Sequence, residues 1–219
     1  MTETLPDGLF LSWLAIFGIG MLGAMSPGPN LLITMRTALS LGPRHGLAVA
    51  AGLATGNAVH ATLGLIGVTV LIAQTPLLYD ILRWAGAGFL VFIGLKALLS
   101  RQSAIAGAAL AVDTAATGPR RYHASASAGL ATNLLNPKVA IFFLALFTQI
   151  IDPATPEPAK LLYGATMVGV ELLWFGTVAC VIGTPAVRRR LLRAGPWIDR
   201  VTGGALLALG LRLAFIRGV

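Results

Sequence analysis

The chain has 219 residues, of which 56% are hydrophobic and 11% charged, and its mean hydropathy is +0.82. Soluble domains carry about 25% charged residues, so a cytosolic enzyme, a nucleic-acid module and a disordered chain all fit poorly. The net charge of +8 sits in short basic blocks between apolar runs, as in membrane-protein loops, and the single cysteine, Cys180, excludes a disulfide framework, a redox pair and a thiolate metal cluster.

A spanning helix needs about 20 mostly apolar residues, and six segments meet that need: 9–41, 46–73, 77–99, 126–151, 159–184 and 200–216. The first, as one straight rod, would be about 50 Å long against a hydrocarbon core of about 30 Å. Near its middle stands Ser26-Pro27-Gly28-Pro29-Asn30, where two prolines remove backbone donors and the glycine between them tolerates unusual dihedrals, which predicts a helix break. The second segment carries Gly52, Gly56, Asn57 and His60, and the third ends on Gly94-Leu95-Lys96. Residues 100–125 are small and polar, a flexible linker between three-span halves comprising 1–99 and 126–219. The fourth segment holds Asn133-Leu134-Leu135-Asn136-Pro137-Lys138, a second predicted break near its centre. Glu171 lies in the middle of the fifth, and Pro185 to Asp199 reads as a basic loop before the sixth.

Orientation follows from Lys and Arg. With the N-terminus outside, the inner loops receive 11 of the 16 basic residues, including Arg44, Arg101, Arg120, Arg121, Arg188, Arg189 and Arg190. The termini are therefore expected outside and the linker inside, in a single transmembrane domain covering 1–219. The halves also resemble each other: Gly88, Gly94, Leu95 and Lys96 align with Gly204, Gly210, Leu211 and Arg212, Gly52 with Gly164, and Pro27 with Pro137. An odd number of spans per half places the second half upside down. The expected fold class is thus an all-α membrane protein of six helices in two inverted three-helix repeats, helices 1 and 4 interrupted at midplane.

Backbone groups freed inside a bilayer need protein, water or ligand, so irregular structure at that depth lines a cavity. Paired interruptions at matching places of two repeats point to a substrate site built from Ser26, Pro27, Gly28, Pro29 and Asn30 with Asn133, Asn136, Pro137 and Lys138. Half-helix N-termini suit a carboxylate and half-helix C-termini an ammonium, so together they suit a zwitterion such as an amino acid. An ionisable group at midplane costs about 2.5–3.5 kcal/mol on the insertion scale and marks an ion or substrate path. Lys138 is placed to bind a substrate carboxylate or to pair with Glu171, the one acid expected within the membrane. Glu171 and, less directly, His60 are the proton-coupling candidates; a static ion pair and a helix-bridging histidine are the structural alternatives.

These motifs resemble the LysE/RhtB family of amino-acid exporters. The resemblance rests on Gly23-Ala24-Met25-Ser26-Pro27-Gly28-Pro29-Asn30, on the stretch from Gly46 to Gly56, and on Asn133 to Lys138 with Phe142-Phe143-Leu144-Ala145 and Phe147 to Gln149, and it covers essentially the whole chain. One departure is Thr148, where the pattern commonly has proline. The resemblance implies a secondary transporter of the plasma (inner) membrane, embedded in lipid, that exports amino acids or derivatives from the cytoplasm, is driven by the proton gradient or membrane potential, and often works as a homodimer. It implies no enzyme activity, cofactor or nucleic-acid partner. A metal or other small-ion effluxer and a non-transporting scaffold are the alternatives; one cysteine and three scattered histidines, His45, His60 and His123, suit a soft metal poorly.

Overall fold

The computed structural model describes residues 7–26, 28–74, 76–99, 121–151 and 155–215, which are almost wholly helical. In chain order these are α1 (Asp7–Met25), α2 (Pro29–Leu41), α3 (Pro43–Gln74), α4 (Pro76–Leu99), α5 (Tyr122–Leu134), α6 (Pro137–Ile150), α7 (Glu157–Val181) and α8 (Pro185–Phe215). Proline opens most of them, because a first-turn residue has no intrahelical acceptor for the N–H that proline lacks. Between α2 and α3 a single residue, Gly42, turns the chain with φ at 91°, a left-handed conformation that side-chain-bearing residues avoid.

Gly8–Met25, Pro43–Gly67 and Glu157–Val181 are each long and apolar enough to cross a membrane. The pair α5 and α6, bent by 59° at its break, is apolar enough to form a fourth span. Leu63, Leu77, Trp84, Phe92, Leu99 and Leu161 stand exposed on the outer faces. An apolar surface on that scale suits lipid, and the chain is a multi-pass membrane protein.

Both expected interruptions are present, α1 giving way to α2 around Ser26 to Gly28 and α5 to α6 at Leu135 and Asn136. They divide their segments differently. At 19 residues α1 is itself of spanning length, whereas α5 and α6 have 13 and 14. The stretch from Pro185 to Asp199, expected as a loop, is helical and continuous with the sixth segment. Arg and Leu are good helix formers, Pro185 starts the helix, and Pro196 is carried within it. Asp199, expected at the edge of that loop, is consequently buried on the inner face of α8 beside Thr202 and Leu206, while Arg189, Arg193 and Trp197 are exposed. The helix end beyond Thr148 is unremarkable. Without a proline there, α6 runs on to Ile150, and the Thr148 hydroxyl donates to the carbonyl of Leu144 at 2.8 Å.

Close crossings depend on glycines. A Cβ at Gly94 would lie 2.6 Å from the Gly203 carbonyl oxygen, and one at Gly210 would lie 2.9 Å from that of Ala87, so α4 and α8 meet backbone to backbone. Gly52 and Gly129 allow the same approach of α3 to α5, against Ala126 and Val49.

The interior is layered. Along α3, Leu53 belongs to one apolar cluster with Val49, Val170 and Phe175, and Ala61 to another with Phe143, Tyr163 and Met167. Asn57 lies between, four residues from each. Along α7, Glu171 likewise falls four residues after Met167 and four before Phe175. Helical spacing of this kind puts all three residues on one face. Two apolar layers therefore enclose a polar one, and both breaks empty into it.

Candidate functional site

Asn136 caps α6: its side-chain oxygen accepts from the Lys138 backbone N–H at 3.1 Å, satisfying one donor that the helix start leaves open. Its amide nitrogen donates to Asn30 Oδ1 at 3.2 Å, and Asn30 in turn donates to Glu171 Oε1 at 2.9 Å. Asn133 donates to the same carboxylate oxygen at 3.2 Å and to Asn57 Oδ1 at 3.0 Å, and Asn57 donates to the Met167 carbonyl at 3.4 Å. Asn30, Asn57, Asn133, Asn136 and Glu171 are all buried. An unpaired polar group so placed would cost about 1–3 kcal/mol; here the amides pair with one another, with Glu171 and with backbone, except that Asn133 Oδ1 has no hydrogen-bond partner among the described residues.

The Lys138 ammonium crosses to the other break and donates to the Ser26 carbonyl at 2.9 Å. Its nearest approach to Gly28 is such that a Cβ there would stand 3.5 Å from Nζ. His60 Nε2 is 3.2 Å from the Asn133 carbonyl, which also accepts from the Asn136 N–H. A carbonyl only accepts, so this hydrogen bond fixes the Nε2–H form of the imidazole.

The pocket between the breaks holds about 430 Å³ including its open mouth. Ser26, Gly28, Asn30, Asn136, Lys138 and Glu171 line it, so most of the expected site residues converge. Asn133 stands behind, holding Glu171. Pro29 and Pro137 are exposed on the outer side of their helices, where they break the chain without facing the pocket. Pro27 lies outside the described residues. His60 touches the backbone of the second break and not the pocket itself.

Sequence reasoning passed over the rest of the lining. Asn57 completes the amide chain, and Val139, Phe142, Phe143, Met167 and Phe175 form apolar walls. Asn57 had a signal of its own, an amide in an apolar span one turn before His60. Phe142 and Phe143 stood out only as part of the family motif, and Met167 and Phe175 had no signal, because at helical spacing they look like any other core.

The pocket thus holds one carboxylate and one ammonium between interrupted helices of a multi-pass bundle, and the protein is of the translocator class. The chain belongs to the LysE-type translocators, whose family profile matches residues 21–216. It is 31% identical over 209 residues to the homoserine/homoserine lactone efflux protein of Salmonella typhimurium, covering 94% of this chain and 97% of that one. It is 26% identical over 211 residues to the threonine efflux protein of Escherichia coli, covering 95% and 100%. The membrane protein YahN of Escherichia coli is 29% identical over 215 residues, covering 98% and 94%. No solved structure matches the chain.

Proposed function

We propose that this translocator exports amino acids or close derivatives from the cytoplasm, and that the pocket between the two helix breaks is its substrate site. The observation that carries the reading is that Lys138 and Glu171, opposite charges from α6 and α7, line one pocket together with the first turns of α2 and α6. A zwitterion fits that layout: its carboxylate at Lys138 and the positive end of α2, its ammonium at Glu171. The printed names of the relatives, efflux proteins for threonine and for homoserine, agree with such a substrate.

In this reading Ser26, Gly28, Asn30, Asn136 and Lys138 contact the substrate. Pro27, Pro29 and Pro137 hold the breaks open, and Asn133 orients Glu171. Glu171 also carries the proton that returns for each substrate expelled, with His60 beside it through Asn133, so the proton gradient or membrane potential drives export. The architecture that goes with it is six spans in two inverted repeats, 1–99 and 126–219, in the plasma membrane, with both termini outside and the linker in the cytoplasm, as a homodimer. Two glycine pairs support the repeat. Gly88 and Gly204 both face open space, whereas Gly94 and Gly210 are both wedged against a partner helix.

The test is efflux from cells preloaded with dipeptides, comparing the wild type with Lys138→Ala and Glu171→Gln at matched membrane abundance. At least a tenfold loss of amino-acid efflux is expected in each. Wild-type efflux from both variants at equal abundance removes the site assignment.

A further inference from the structure

The two charges in the pocket are matched by the two that every free amino acid carries, which leaves the substrate's side chain to the remaining wall. That wall is apolar. The Phe142 ring seats over Gly23, where a Cβ would lie 2.5 Å from Cζ, and the Met167 sulfur over Gly20, where it would lie 2.7 Å away. Phe143 is edge-on to Phe147, with ring centroids 5.5 Å apart, and stacks on His60 at 6.0 Å. Phe143 and Phe175 are each 2% exposed. The amides of the lining are engaged with protein: Asn57 with Asn133 and Met167, Asn136 with Asn30 and Lys138, Asn30 with Glu171.

Resting on the exporter reading, we propose that Phe142, Phe143, Met167 and Phe175 form a side-chain subsite that selects amino acids with an uncharged, apolar side chain. A third charge, as in lysine, arginine or glutamate, leaves water to face aromatic rings with no counter-ion, and that desolvation is returned only by a well-placed partner. A hydrocarbon side chain gains from leaving water. A hydroxyl meets a weaker penalty, since an apolar pocket rejects an isostere bearing one by only about 100-fold. Threonine therefore ranks between leucine and lysine.

The experiment uses the full chain in proteoliposomes loaded with labelled leucine, methionine, threonine, lysine or glutamate, with Phe142→Leu, Met167→Leu and Phe175→Asp beside the wild type. Leucine and methionine are expected to leave at least tenfold faster than lysine and glutamate. Phe142→Leu or Met167→Leu is expected to change the leucine-to-threonine ratio at least threefold, and Phe175→Asp to narrow the gap between lysine and leucine. Lysine leaving as fast as leucine overturns the subsite and leaves the exporter reading standing, as does a leucine-to-threonine ratio unmoved by both conservative variants. Release of none of the five amino acids by the wild type removes both. Should Phe175→Asp fail to fold, the two conservative variants decide alone.

Discussion

Asn136 and Asn30, 106 residues apart, are joined at 3.2 Å, each standing in the opening turn of a helix that begins at a break. The contact runs on from Asn30 to Glu171, so one asparagine holds both the opposite break and the carboxylate that lines the pocket. Replacing Asn30 by Ala leaves Asn136 without its acceptor and removes a donor from Glu171. The expected loss is about 1–3 kcal/mol, which for a chain of this size lowers the melting temperature by about 2–4 °C per kcal/mol. Thermal unfolding of the purified protein in detergent measures it, and an unchanged melting temperature would count against the network.

At Asn136 the cap can be separated from the cross-link. Asn136→Asp keeps an oxygen for the Lys138 N–H but loses the donor to Asn30; Asn136→Ala loses both. Capping loss costs about 0.5–2 kcal/mol. The alanine variant is expected to melt below the wild type, and an alanine variant as stable as the wild type would show that neither the cap nor the cross-link contributes.

Gly88 and Gly94 lie on the same helix, α4, in opposite surroundings. Adding a methyl at Gly94 meets the backbone of Gly203 and Leu207 at 2.6 Å, which has no rotamer by which to yield. Gly94→Ala is expected to destabilise by about 1–3 kcal/mol. Gly88→Ala enters open space, and on helix propensity alone it is neutral to stabilising by about 1 kcal/mol. Melting curves of the two variants side by side check the contrast.

Gly56 tests the site and the packing together. A Cβ there would meet Asn133 Oδ1 at 2.6 Å and its Cγ at 2.8 Å, pushing the amide away from Glu171 and Asn57. Gly56→Ala is expected to reduce efflux more than Gly164→Ala, whose nearest neighbour is the flexible end of Leu65 at 3.3 Å. Transport assays at equal abundance read the difference directly.

The breaks were legible because proline acts locally: Ser26 to Asn30 and Asn136-Pro137-Lys138 interrupt a helix whatever surrounds them. Lys138 and Glu171 were legible because an ionisable group within an apolar span calls for a partner. What joins them was not. A lone Asn57 in a span reads as ordinary glue between helices, and its place in the amide chain depends on α3 and α7 lying side by side. Phe142 and Met167 line the pocket only because Gly23 and Gly20 of α1 make room for them, a pairing more than 100 residues distant. Proline also misled, since Pro185 and Pro196 suggested a loop where the arginine-rich stretch between them continues as helix.

The glycine crossings divide the molecule into parts that can shift and parts that cannot. One seam fastens α4 to α8 and another α3 to α5, and each stitches a helix from before the linker to one after it. The two halves are thereby riveted into a single frame, and sliding one past the other would tear main chain from main chain. Around the pocket α1 meets its neighbours through pliable tips, Phe142 over Gly23 and Met167 over Gly20, which swing on their own torsions. In the proposed exporter, motion that admits and releases a solute therefore falls to α1, working like a lever against a stationary chassis.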